Sequence, residues 1–430
     1  MKKISLTMLV LAYVLNLSYC TPKKKKGGIL DKLIPLALLG GGTGNGSSAT
    51  NGGGTVATAN ETGGTGSNTG GGNGTNIPPP TNLAYDKSFY SITLNTAKTL
   101  TPTFSGTITK CEATPILPQG MSLSQSDCVI SGAPTETIYP TNFVITASNA
   151  GGKTTANFKL RVINGIPVYI SQWGSQGSGE GQFSGNGATI AIDSADFIYA
   201  ADNNRIQKFN SDGSFISKWD GFSITMGIAV NNSNKVYASD YFDNIIKVFD
   251  TNGTFQFSWG GSGSGDGRFN EPMYVANDNI GNIYLADRLN NRVQKFDSNG
   301  SFITKWSIGS NPYGITADKE GHVYVSTQHK VQKFDSSGNL ISQWGTYGSQ
   351  NAQFNMPWGM KVDMSENLFI VDSGNSRIQI FDLTGNYIGK WGAQGSGNGE
   401  FLTPRDIAID SLGNIYIADQ NNYRIQKFAP

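Results

Sequence analysis

A five-residue pattern close to Arg-Ile-Gln-Lys-Phe occurs six times after residue 204 of this 430-residue chain and restricts the possible folds more than any other feature. The copies occupy residues 205–209, 245–249, 292–296, 330–334, 377–381 and 424–428. Two β-rich segments precede each copy, and a segment that ends in Trp follows every copy except the last. A period of this length predicts repeated small sheets, each of which buries its faces against its neighbours.

The segments that end in Trp are out of phase with the other three. Their Trp residues are Trp173, Trp219, Trp259, Trp306, Trp344 and Trp391. Trp173 precedes the first complete copy, whereas the last copy ends at Pro430 with no Trp segment after it. Each copy of the pattern marks one repeat. If each repeat is a four-stranded blade, with strands a to d from the axis outward, residues 167–174 supply strand d of the sixth blade. This pairing removes the exposed edges of an open array. The offset therefore predicts a closed six-bladed β-propeller.

The amino-acid sequence of the repeats, for example in residues 404–410, 413–419 and 424–428, closely resembles the NHL repeat. The resemblance covers residues 167–430 and implies an NHL-type propeller over residues 164–430. That family includes extracellular sensor domains, protein- and RNA-binding scaffolds and a few lyases. The resemblance thus implies a fold without fixing a function.

Short β-rich segments separated by turn residues fill residues 81–163 and predict a small β-sandwich. Segments 117–123, 130–135 and 147–152 together resemble the Ig-like module of bacterial surface proteins. Cys111 and Cys128 lie in this module, so in an exported protein a disulfide is expected, and two buried thiols are the alternative. The fold class predicted for the whole chain is all-β.

The first 20 residues have the form of a secretion signal, since Lys2 and Lys3 precede an apolar stretch. The stretch ends at Cys20 and resembles a bacterial lipobox, which implies acylation of Cys20; a chance Cys after an uncleaved anchor is the alternative. Residues 21–80 are first basic and apolar, then rich in Gly, Ser and Thr, and predict a disordered linker. The chain is thus expected to be lipid-anchored at a bacterial membrane in the cell envelope.

The formal net charge of +1 conceals an uneven distribution. Residues 1–163 carry 13 basic and 6 acidic side chains, and residues 164–430 carry 19 and 25. An acidic propeller argues against a nucleic-acid partner, because basic contacts to phosphate supply most of that affinity. Two His and three Cys in the whole chain argue against a zinc centre. We therefore expect no cofactor and no metal.

The loops from d to a and from b to c share one face of a propeller, which we call the top face. Strand a should present one residue per blade at the top of the channel, and these residues are Ala188, Met226, Met273, Tyr313, Trp358 and Arg405. Asp406 follows Arg405 and adds a carboxylate. Met, Tyr, Trp and Arg are typical of protein-binding hot spots. The sequence therefore predicts a binding site at Met226, Met273, Tyr313, Trp358, Arg405 and Asp406, with ordinary packing as the alternative.

Opposite charges also recur across the b-to-c turn. An Asp ends strand b in five blades, and an Arg begins strand c in four. Ion pairs that hold this loop are the expected role. Ile245 replaces the Arg in the second blade, and Thr327 and Lys330 replace the pair in the fourth.

These features predict a monomeric, lipid-anchored, non-enzymatic binding protein that presents its propeller to a protein, peptide or glycan. The alternative is a propeller lyase or lactonase that uses the channel mouth, where Asp406 would be the available carboxylate.

Overall fold

The computed structural model describes residues 77–185 and 188–430. Its regular elements are β-strands and three single-turn 3₁₀ helices. No helix in these two ranges is long and apolar enough to span a bilayer. The predicted all-β class is confirmed. The predicted signal peptide, Cys20 and residues 21–76 of the predicted linker lie outside the described residues.

The first folded part is an Ig-like module. Its strands are β1 (Thr81–Ala84), β2 (Phe89–Thr93), β3 (Lys98–Leu100), β4 (Thr103–Ser105), β5 (Lys110–Thr114), β6 (Met121–Leu123), β7 (Ile130–Gly132), β8 (Ile138–Asn149) and β9 (Gly152–Ile163). A four-stranded sheet, in the order β2-β9-β8-β5, and a three-stranded sheet, β3-β7-β6, enclose a core that includes Ile130, Phe143 and Leu160. Cys111 and Cys128 are joined by a disulfide within this core.

The rest of the chain forms the propeller. Its first strand is β10 (Val168–Trp173). The strands of the first three blades are β11 (Thr189–Ile192), β12 (Ile198–Asp202), β13 (Arg205–Phe209), β14 (Phe215–Asp220), β15 (Thr225–Val230), β16 (Lys235–Asp240), β17 (Ile245–Asp250), β18 (Phe255–Gly260), β19 (Pro272–Asn277), β20 (Ile283–Asp287), β21 (Arg292–Phe296) and β22 (Phe302–Ser307). The remaining strands are β23 (Ile315–Ala317), β24 (Val323–Ser326), β25 (Val331–Phe334), β26 (Leu340–Trp344), β27 (Thr346–Tyr347), β28 (Gln353–Phe354), β29 (Pro357–Val362), β30 (Asn367–Asp372), β31 (Arg377–Asp382), β32 (Tyr387–Trp391), β33 (Pro404–Ile409), β34 (Ile415–Asp419) and β35 (Arg424–Ala429). The 3₁₀ helices are Arg288–Asn290, Ser373–Asn375 and Gln420–Asn422.

Six four-stranded antiparallel sheets make up the blades. Blades 1 to 5 are β11–β14, β15–β18, β19–β22, β23–β26 and β29–β32, each in sequence order. Blade 6 has the order β33-β34-β35-β10, so the first propeller strand completes the last blade. Trp173 is paired with Ile425, and Tyr169 with Phe428. The predicted circular closure and the count of six blades are confirmed.

Neighbouring blades are joined by the same contacts at most of their seams. The strand-d Trp of one blade packs on a Gly in the c-to-d turn of the next, as Trp173 does on Gly213. A Lys in strand c donates to a carbonyl of that same turn, as Lys208 does to Thr251 at 3.0 Å. Small residues and aromatic rings thus fit blade against blade, and the Lys ammonium groups bond carbonyls at the lower face, which the a-to-b and c-to-d turns form.

The seam between blades 5 and 6 differs, because strands c and d of blade 6 come from opposite ends of the propeller and no turn links them. The two blade-5 side chains that would contact such a turn are also replaced. Ile380 stands where blades 1, 3, 4 and 6 have Lys208, Lys295, Lys333 and Lys427, and Phe369 stands where the other five blades have Tyr. A cavity of about 600 Å³ lies at this seam, lined by Phe369, Ile380 and residues of the Ig-like module.

The Ig-like module docks on the lower face at this seam. Arg161 of β9 donates from Nη2 to Asp363 Oδ2 at 2.6 Å, and the two side chains are only 4% and 1% exposed. In blades 1, 3, 4 and 6 the equivalent Asp accepts a hydrogen bond from the Tyr hydroxyl that Phe369 lacks, for example from Tyr416 to Asp410 at 2.9 Å. The guanidinium therefore takes the place of a missing hydroxyl, and the lower face is partly covered while the top face stays open.

Candidate functional site

Two rings of side chains surround the top mouth of the channel. The strand-a ring contains the predicted Met226, Met273, Tyr313, Trp358 and Arg405. The b–c ring consists of the residue that follows the last Asp of strand b, or Thr327 in its place in blade 4, namely Asn203, Tyr241, Arg288, Gln328, Ser373 and Gln420. Strand a brings the first ring to the axis, and the b-to-c turns place the second ring around it.

Four residues from the two rings form a continuous aromatic–arginine row. The Arg288 guanidinium lies 5.7 Å from the centroid of the Tyr313 ring. Tyr313 packs on Trp358 with ring centroids 5.1 Å apart, and the Arg405 guanidinium lies over Trp358 at 3.6 Å. Each guanidinium is thus attracted to an aromatic face, an interaction that strengthens as the pair is desolvated.

Arg288 is held by a polar network at one end of this row. It donates from Nη1 to Glu271 and to the Tyr241 hydroxyl, the latter at 3.0 Å, and Tyr241 itself donates to Glu271. Burial and the bond to Glu271 raise the pKa of Tyr241, so the hydroxyl stays protonated. The positive charge of Arg288 is therefore balanced.

Arg405 is held differently at the other end. Its Nε donates to Gln420 Oε1, and its flat face covers Trp358. Burial lowers the pKa of Arg405 to about 10, which still leaves it protonated at neutral pH. No carboxylate lies within ion-pair distance of it among residues 77–185 and 188–430.

Asp406 points into the channel wall instead of toward Arg405. Its Oδ2 accepts from the Ile190 backbone N–H of blade 1 at 2.9 Å, and its Oδ1 accepts from the Ile407 N–H at 2.9 Å. A Cβ at position 359 would overlap Asp406 Oδ1, so Gly359 is required for this approach. Burial raises the pKa of Asp406 to about 7.

Beneath the row, the channel is crossed by Tyr274. This side chain extends from blade 3 and donates its hydroxyl to the Arg405 carbonyl of blade 6 at 2.8 Å. Met273 is fully buried beside it, and Met226 is half-buried against the same cluster. The structure thus brings Tyr313, Trp358 and Arg405 together at the top mouth, with Trp358 only 8% exposed, and places Met273 and Asp406 inside.

Sequence reasoning missed Glu271, Arg288, Gln420, Tyr241 and Tyr274. A usable signal was present for three of them, because Tyr241, Arg288 and Gln420 each follow directly after the Asp that ends strand b. The b–c ring could therefore have been read from the repeats in the same way as the strand-a ring.

Exposed apolar side chains lie on the top-face loops. Phe242 and Leu289, which directly follow Tyr241 and Arg288, are 55% and 41% exposed, and Met356 in the loop before blade 5 is 40% exposed. We call these three the apolar rim. A half-buried polar centre beside exposed apolar residues is a surface that a folded partner or a peptide can cover.

The predicted Asp–Arg ion pairs are confirmed and serve the architecture. Arg292 bonds Asp287 at 2.7 Å and also donates to the Ser264, Gly265 and Arg268 carbonyls of the long Gly-rich loop that precedes its blade. Blades 1, 5 and 6 repeat this arrangement. The two departures fall in blades 2 and 4, which follow short loops; Lys247 pairs with Asp240 in blade 2.

Two family models match parts of the chain. One, described as "Putative Ig domain", matches residues 73–163, and the other, described as "6-bladed beta-propeller", matches residues 360–429. No curated protein matches the chain.

Several solved structures are similar. A protein of unknown function from Bacteroides thetaiotaomicron is 17% identical with a TM-score of 0.52, over 81% of this chain and 98% of that chain. The virginiamycin B lyase from Staphylococcus aureus is 14% identical, over 75% and 99%, with a TM-score of 0.43. A gluconolactonase from Xanthomonas campestris is 16% identical, over 56% and 86%, with a TM-score of 0.45. The first of these similarities shows a shared fold alone, and the other two carry no argument about function.

Proposed function

We propose that this chain is a binding protein whose propeller presents its top face to a protein or peptide. The observation that carries the proposal is the partly exposed aromatic–arginine row at the top mouth, together with Phe242, Leu289 and Met356 of the apolar rim. Aromatic and Arg side chains at the centre of a patch supply most of the binding energy in protein interfaces.

A peptide is favoured over a glycan by the position of Arg405. A sugar ring binds flat on an open aromatic face, but the Arg405 guanidinium covers Trp358 at 3.6 Å. The apolar rim instead offers separate exposed side chains that suit the varied surface of a polypeptide.

The proposal extends to the place where the protein acts. The signal-like start, the lipobox-like segment ending at Cys20 and the disulfide of the Ig-like module support an exported lipoprotein of the bacterial cell envelope. The amino-acid sequence of the repeats supports assignment of the blades to the NHL type. With the module docked on the lower face, the top face is the side of the propeller available to a partner.

The lyase or lactonase alternative lacks a supporting observation in the described parts of the chain. The carboxylate that it would use, Asp406, has each oxygen engaged by a backbone N–H. His329 lies on the top face but packs on Tyr347 with ring centroids 4.7 Å apart, and His322 bonds Asp318 on the lower face.

Selection of short random peptides on the immobilised full chain tests this function. Replacing Phe242 and Leu289 by Ser should weaken capture of the selected peptides at least about fivefold, because each loses exposed apolar contact area. Ile280→Ser is the matched control, since Ile280 is 86% exposed on the lower face. Equal capture by the rim variant and the wild type would reject the top face as the site.

A further inference from the structure

Among the arginines of the described residues, Arg405 differs in being half-buried without a carboxylate partner. Six others each pair with a carboxylate: Arg161, Arg205, Arg288, Arg292, Arg377 and Arg424. Arg268 lacks a carboxylate, but it is exposed and donates to the Gly260 carbonyl. Arg405 is half-buried and has no carboxylate partner. An uncompensated, partly desolvated charge is costly, so an anion bound there would be stabilised.

The adjacent Asp406 does not supply that anion. Its two oxygens accept backbone N–H groups of Ile190 and Ile407 in the channel wall. The two side chains separate where the register of strand a is irregular, since Pro404 and Asp406 pair with strand b but Arg405 between them does not. Arg405 therefore faces the top mouth with its charge unbalanced.

The orientation of the guanidinium leaves one edge unused. Its Nε donates to Gln420, and one flat face lies on Trp358. Nη1 and Nη2 donate no hydrogen bond within the described residues, so the end of the guanidinium remains available. Two parallel N–H groups at this end match the two oxygens of a carboxylate.

We propose that the peptide or protein bound at the top face places a carboxylate against the Nη1–Nη2 edge of Arg405. This inference rests on the proposed binding function and specifies the chemistry of the partner. A carboxylate fits better than a phosphate monoester, because phosphate sites gather several cations, and here Glu271 already balances Arg288.

The test uses the same selection of short random peptides on the full chain. Peptides that bind should contain Asp or Glu more often than the unselected library. For one such peptide, replacing the acidic residue by its amide and making Arg405→Gln should each weaken binding about tenfold or more. The two changes together should cost little more than either alone, because both remove the same contact.

Two additional measurements define the contact more closely. Arg405→Lys keeps the charge but not the paired N–H groups, so it should bind the peptide more weakly than wild type and more tightly than Arg405→Gln. Synthesis of the peptide with an amidated C-terminus shows whether a side chain or the terminus supplies the carboxylate. Circular dichroism and the thermal midpoint confirm that each variant is folded.

The outcomes separate this inference from the function on which it rests. If peptides bind and depend on Phe242 and Leu289 but show no preference for acids, or if the effects of Arg405→Gln and of the amide are simply additive, the carboxylate inference is overturned while binding stands. If no peptide is retained above the level of an unrelated protein, the proposed function itself fails.

Discussion

Asp406 lies in the wall of the channel, and its surroundings set its protonation. It lies between blades 5, 6 and 1, where Gly359 leaves room for it and the Ile190 N–H reaches it from the next blade. Loss of water favours the neutral acid more than these two hydrogen bonds favour the anion, so the pKa of Asp406 rises to about 7.

This shift predicts a pH dependence of stability. The folded pKa of about 7 lies above the usual Asp value of 3.8, so between these pH values the unfolded chain releases the proton first. The free energy of unfolding should therefore fall as pH rises through this window, by up to about 4 kcal/mol from this group. Denaturant unfolding of wild type and Asp406→Asn at a series of pH values measures it. The difference between the two curves should change across the window, and parallel curves would contradict the assignment.

At the site, the sequence predicted positions better than contacts. Counting along strand a placed Tyr313, Trp358 and Arg405 at one mouth, because the repeats fix which residue each blade contributes. It could not predict that Arg405 lies on Trp358 or that Asp406 points into the wall, since these depend on side-chain packing across blades. The b–c ring escaped notice because its residue types vary from blade to blade.

At the scale of elements, the seam between blades 5 and 6 shows how the repeat adapts to the break in the chain. Lys becomes Ile380 and Tyr becomes Phe369 in the blade that faces the absent turn. Arg161 then supplies the donor for Asp363 from β9, 202 positions away in sequence. The propeller residues that differ from the repeat pattern where the module docks therefore lie in one blade, blade 5.

Removal of this donor should be strongly destabilising. Arg161→Met leaves the buried Asp363 without its ion-pair partner, and loss of one member of a buried pair costs about 3 kcal/mol or more. Denaturant unfolding measures the loss. Lys87→Met is the control, because Lys87 forms an exposed pair with Glu366 and its loss should cost less than about 1 kcal/mol.

A second substitution should repair the first. Phe369→Tyr in the Arg161→Met background restores the hydroxyl donor that Tyr199, Tyr284, Tyr324 and Tyr416 provide to the equivalent Asp in other blades. We expect about 1 kcal/mol or more to be recovered, while the module becomes more easily cleaved from the propeller by protease. No recovery would show that the Tyr-to-Phe change is unrelated to docking.

At the scale of the whole molecule, closure depends on pairing between the two ends of the propeller. Besides the β10–β35 ladder, Arg424 Nη1 donates to Gln172 Oε1 at 2.6 Å across 252 positions of sequence. The repeats predicted this closure because a phase offset in the Trp series is visible without any tertiary contact. The docked module was not predictable in the same way, because the Arg161–Asp363 and Lys87–Glu366 contacts that join it to the propeller have no periodic signature.

Shortening the chain tests how far the ring depends on this pairing. A chain that ends at Tyr423 lacks β35, which leaves β10 and β34 without their shared partner and exposes two strand edges. We expect loss of cooperative unfolding and a tendency to aggregate, seen by thermal denaturation and size-exclusion chromatography. A chain that lacks only Pro430 is the control and should behave as wild type.

The pairing of β10 with β35 also dictates an order of events during synthesis. β10 leaves the ribosome before any other propeller strand, yet its partner is the last of the propeller strands to be made. Five blades can assemble from neighbouring segments as they emerge, while β10 keeps an unsatisfied edge until β35 has been made. If synthesis stops before β35, the released ring is incomplete and presents that strand edge to other chains.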